Sequence, residues 1–145
     1  MKRLLNKSHL PLNLDAGILL IRIAVSILML THGLPKLMKF FADEPVAFAN
    51  IMGLGAGVSL AIAILAEVVC SIFLMLGLAT RPALIPLILT MAVAVLHIHA
   101  EDPLAVKEKA IIFLLVYVFL FFTGSGKYSL DNMLSKKRGN FARIR

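Results

Sequence analysis

The sequence predicts an all-α integral membrane protein, a four-helix antiparallel bundle with both termini on the cytoplasmic side. Three observations lead there. Hydrophobic residues make up 60% of the 145 residues, whereas soluble domains hold about 45–50%. Four apolar runs, at about 14–34, 58–79, 82–99 and 109–124, approach the length of roughly 20 residues that a spanning helix needs. The basic residues also sort by side. Lys2, Arg3, Lys7, Arg81, Lys127, Lys136, Lys137, Arg138, Arg143 and Arg145 share one side, against Lys36, Lys39, Lys107 and Lys109 on the other. With the chain starting in the cytoplasm, that distribution follows the positive-inside rule.

Together the four runs leave no room for a soluble catalytic domain, so 1–145 is expected to be a single transmembrane domain ending in a basic tail, 125–145. The net charge of +7 belongs to the flanks of the spans. Nucleic acid is therefore not an expected partner; the lipid bilayer is.

The first run begins near Leu14, where Asn13 or Asp15 can cap free amides. Basic residues ahead of it imitate a secretory signal, but Arg22 interrupts the run and no small-residue cleavage site follows. It is read as a retained helix. Pro35 is expected to kink or end it, since proline has no N–H to return to the carbonyl of Thr31.

The connection at about 40–57 is the longest, and Pro45 to Met52 is apolar enough to lie at the membrane interface. Gly53-Leu54-Gly55-Ala56-Gly57 lacks the strand, lysine and hydroxyl of a nucleotide loop, and reads as a flexible lead into the second helix. That helix ends at Gly77-Leu78, and the short Arg81-Pro82 turn forces the second and third helices to be antiparallel neighbours. The aromatic residues Phe113, Tyr117, Phe119, Phe121 and Phe122 of the fourth helix are read as lipid-facing or packed. Gly124-Ser125-Gly126 ends that helix. Gly126-Lys127 is no phosphate loop, because Phe121 and Tyr128 stand where glycine and a hydroxyl are needed. Cys70, the single cysteine, rules out an intramolecular disulfide and reads as a packing residue.

Chemistry is expected where charge enters these runs. Glu67 lies mid-run, and an intramembrane carboxylate marks a site and implies a partner. At about 1.5 Å per residue, Arg22 and Glu67 come to roughly 12 and 16 Å from the same boundary, so an Arg22–Glu67 ion pair is expected. Such a pair can fix helix register, or Glu67 can handle a proton or a polar ligand. His32 and Lys36 close the first helix, His97 and His99 the third, with Glu101, Asp102, Glu108 and Lys109 near the same level. This arrangement suggests an outward polar vestibule above a buried carboxylate. Metal or bis-histidine haem ligation is not expected, because histidines at helix ends are more commonly solvated; an acid–base role suits them better.

The order of these residues resembles the DoxX family of small bacterial membrane proteins over about 14–131. The resemblance rests on Arg22, on His32-Gly33-Leu34-Pro35-Lys36-Leu37 and on Ala66-Glu67. It continues through Leu76-Gly77-Leu78-Ala79-Thr80-Arg81, His97 and Glu108-Lys109-Ala110. It closes with Gly124-Ser125-Gly126-Lys127-Tyr128-Ser129-Leu130-Asp131. It implies a multi-pass inner-membrane protein linked to quinol-oxidase or thiosulfate:quinone oxidoreductase assemblies and to oxidative-stress defence. It also carries over Arg22, His32, Lys36, Glu67, His97 and Glu108 as polar-site positions.

The first expectation is a redox-linked subunit binding a quinone or similar lipophilic molecule, with electrons from an oxidoreductase partner or a bound cofactor, since the chain has no autonomous catalytic motif. Transport of a proton, ion or small molecule is the alternative, and it would require a homodimer. A non-catalytic scaffold that recruits oxidoreductases through the basic tail is the third.

Overall fold

In the computed structural model the described residues are 12–42, 48–51 and 53–142. The N-terminal basic residues, half of the Pro45–Met52 segment, and Arg143 and Arg145 lie outside them. The described residues are all-helical. α1 is Leu12–Phe40, α2 Ala56–Leu76, α3 Thr80–Ile98, α4 Leu104–Thr123 and α5 Leu130–Ala142. Three stretches are long and apolar enough to cross a membrane, Leu14–Phe40, Ala56–Leu76 and Thr80–Ile98. α4 is apolar from Ala110 onward, but Lys107, Glu108 and Lys109 occupy its first turns.

α1 does not end at Pro35, which lies inside the helix; the helix continues to Phe40. Ending it there would strand several backbone groups, whereas the proline removes one N–H, and in lipid the smaller loss prevails. Asp15 is likewise no cap: its Oδ1 accepts the N–H of Lys127, 2.9 Å away, tying the start of α1 to the α4–α5 turn.

α1 and α2 run antiparallel, with Gly33 of α1 against Glu67 and Val68 and Arg22 against Gly77. The contact at Gly33 is close: a Cβ there would come within 2.7 Å of Val68 Cγ2 and 3.1 Å of the Glu67 backbone. Only a residue without a side chain lets the two backbones approach so near. At the same level α2 widens into a π-helical turn, Leu65–Cys70, with Glu67 on it. A second π turn, Ala94–Ile98, ends α3. Such turns recur at functional sites.

α2 stops at Gly77, whose φ of 66° is open to glycine. The N–H groups of Gly77 and Leu78 return to Leu74 and Phe73 at 3.0 and 2.9 Å, which closes the helix in a Schellman motif. α3 packs most extensively on α4. One buried apolar cluster joins all four longer helices through Met29, Leu74, Leu84, Leu87, Tyr117 and Leu120. Cys70 is buried in that cluster, as a packing residue should be.

The end of the molecule with the α2–α3 and α4–α5 turns is held by polar bonds. The Arg22 guanidinium donates to the carbonyl oxygens of Ser125 and, at 2.8 Å, Tyr128. The expected Arg22–Glu67 pair is therefore not formed. Helical side chains lean toward the N-terminus of their own helix, and α1 and α2 are antiparallel. Arg22 and Glu67 thus reach in opposite directions.

α5 was not anticipated in the tail. Ser129 caps it, its Oγ accepting the N–H of Asn132 at 3.2 Å. Asp131 in its first turn accepts the N–H groups of Ala79 and Thr80 at 2.8 and 2.9 Å, so one helix caps the start of another. Burial raises the pKa of Asp131, but those hydrogen bonds and nearby Arg22 outweigh it and hold it below the ordinary 3.8. A carboxyl depressed on folding stabilises fully above its unfolded value and loses that effect as pH falls through the lower folded value. Asp131→Ala is expected to cost about 1 kcal/mol at pH 7. The difference from the native protein should shrink below pH 3.8, as followed by thermal unfolding in detergent.

Candidate functional site

At the opposite end the helices enclose a cavity of about 680 Å³. Its walls come from the second half of α1, from Phe48, Ala49, Ile51 and Leu54, from the first half of α2, the second half of α3 and the first half of α4. The spacing explains which side chains face it. Met29, His32 and Lys36 form one stripe of α1, and Val106, Lys109, Ala110 and Phe113 one stripe of α4, as a 3.6-residue period requires.

Lys36 and Glu67 meet in an ion pair between Lys36 Nζ and Glu67 Oε1. The same lean that separates Arg22 from Glu67 produces this pair, because Lys36 reaches back along α1 while Glu67 reaches back along α2. The pair is asymmetric in exposure: the Lys36 side chain is 30% accessible and that of Glu67 3%. Lys36 is thus the member presented to the cavity and Glu67 its buried counter-ion. Lys36 Nζ also sits 5.7 Å from the centre of the Phe48 ring, a cation–π contact from the connection between α1 and α2.

One oxygen of this carboxylate, Oε2, is buried without a hydrogen-bond partner among the described residues. Nearby, His32 stands edge-on to Phe113, with ring centres 5.9 Å apart, and Phe113 lies 6.0 Å from Tyr117. Mostly apolar walls with a few placed polar groups are what a small-molecule site requires.

Of the six positions expected from sequence, His32, Lys36 and Glu67 line this cavity. Arg22 belongs to the far end of the molecule. His97 and Glu108 are exposed and do not line the cavity. Their places are taken by His99 and Lys109. His99 Nδ1 lies 2.7 Å from Asp102 Oδ2. The signal for Lys109 was its spacing of three and four from Val106 and Phe113, which puts it on the cavity stripe one position beyond Glu108.

A family model described as DoxX matches residues 17–100, which include Arg22, His32, Lys36, Glu67 and His97. An uncharacterized protein of Haemophilus influenzae is 32% identical over 124 residues, covering 81% of this chain and 90% of that protein. The uncharacterized membrane protein Rv3486 of Mycobacterium tuberculosis is 31% identical over 136 residues, covering 83% of each chain. No solved structure matches.

Proposed function

The chain belongs to the DoxX family of membrane proteins, and from that premise we propose that it is a redox-linked subunit holding a quinone or similar lipophilic molecule in the cavity. One observation carries the reading: an apolar-walled space of about 680 Å³ with the Lys36–Glu67 pair at its polar end. Lys36 Nζ offers three N–H donors and spends one on Glu67. A quinone carbonyl can accept another while the ring lies against Phe48 or Phe113. Glu67, beneath, takes or returns a proton. His32 and His99 add imidazole nitrogens that can donate or accept hydrogen bonds at the cavity wall.

In this reading α1 to α4 all span the cytoplasmic membrane as a four-helix antiparallel bundle, α4 with Lys107 and Lys109 at the headgroup level. Both termini face the cytoplasm, where the basic tail meets anionic lipid or an oxidoreductase partner that supplies the electrons.

Gently solubilised protein is expected to retain a stoichiometric quinone-type molecule by mass spectrometry, and the Glu67→Gln variant to lose it. Equal retention in both would count against a role for Glu67. An empty native protein that also fails to bind added quinone would turn the reading to transport by a homodimer.

A further inference from the structure

Tyr117 is buried at 0% exposure in the middle of α4, and its hydroxyl has no hydrogen-bond partner among the described residues. It packs in the cluster that includes Met29 and Met91, which also line the cavity, so it lies just beneath the cavity wall. Its ring touches Phe113, another lining residue. Two buried orphans therefore lie at the walls of one cavity, a phenolic O–H that needs an acceptor and a carboxylate oxygen, Oε2, that needs a donor. Their chemistry is complementary.

We propose that Tyr117 is a positioning residue for the site: its hydroxyl becomes the hydrogen-bond donor to Glu67 when Lys36 turns to a ligand oxygen. The inference deepens the ligand-site reading above. In the resting protein Lys36 holds Oε1 of Glu67. A ligand that draws Lys36 away would leave a buried carboxylate short of a partner, an expensive state in a low-dielectric interior. A turn of the Tyr117 side chain toward the cavity would supply one. The hydroxyl is thus idle in the resting state and engaged in the bound one.

This division of labour separates the proposal from a merely structural role. Tyr117→Phe removes an unpartnered polar atom, so the resting protein should unfold at the same temperature or slightly higher. Affinity for a short-chain benzoquinone, measured by equilibrium binding to the full chain in detergent, should fall by about tenfold or more, as for a lost hydrogen bond to a charged group.

A second measurement needs no ligand. In a Lys36→Met background Glu67 already depends on Tyr117, so there Tyr117→Phe should lower the folding equilibrium constant by about tenfold. Loss of resting stability in the single variant, or strictly additive stabilities across the cycle, would overturn the proposal. Native binding of the benzoquinone with an unchanged Tyr117→Phe affinity would overturn it too, while leaving the ligand-site reading in place. Native protein that binds no quinone would sink that reading instead, and the stability cycle would still decide the role of Tyr117.

Discussion

Arg22→Ala is expected to be among the most destabilising single substitutions in the chain, costing about 3 kcal/mol or more. Arg22 is 1% exposed, and its fork holds the carbonyls of Ser125 and Tyr128. Removing it orphans both acceptors and leaves a hole against Gly77, where the guanidinium fills the space a Cβ would take. Arg22→Lys should fall between, because an ammonium cannot span two carbonyls as a planar fork does. Thermal unfolding would give the order. The position of Arg22 far from the cavity adds a second expectation: Arg22→Ala protein that remains folded should bind ligand normally. Stable Arg22→Ala protein with lost binding would return Arg22 to the site.

The second large effect concerns the ion pair, and its asymmetry gives the test its power. Lys36→Met strands a carboxylate that is 3% exposed, and should cost about 3–5 kcal/mol. Glu67→Leu strands a lysine that is 30% exposed, whose ammonium can turn into the cavity; about 1–2 kcal/mol is expected. The double variant should recover to within about 1 kcal/mol of native, since well-packed apolar residues commonly replace a buried pair without loss. It should nevertheless bind no quinone. Costs that simply add would mean that the pair is not coupled. A double variant that still binds would remove Lys36 and Glu67 from the ligand's recognition.

The apolar runs were plain in the sequence because spanning helices are encoded by length and hydropathy alone. The starts and ends were less so. The charges at Lys107, Glu108 and Lys109 hid the beginning of α4 at Leu104, and Pro35 suggested a break that the membrane environment overrides. The cavity end was legible in outline, since His32, Lys36 and Glu67 are all there. Depth alone could not say which cation Glu67 would meet, because pairing depends on which way each side chain leans. The contacts of Arg22 had no sequence signature, as backbone carbonyls carry none. α5 did leave a trace, in a capping serine two residues before an aspartate within the basic tail.

The π turn at Leu65–Cys70 has a consequence for how the length of α2 tolerates change. A wider turn holds more residues than an α turn of the same height. Deleting one of its residues other than Glu67 would let the helix close as an ordinary α turn with both halves kept close to their present orientation, because the wide turn already absorbs the extra residue. The regular stretch Ala56–Ile64 has no such slack, and a deletion there would rotate the residues before it by about 100° relative to the rest. The half beyond Ser71 is fixed by Gly77 and Arg22, so the start of α2 would do the turning. A single codon lost from the wide turn is therefore absorbed, while one lost from the regular turns before it is a change of address for the cavity wall.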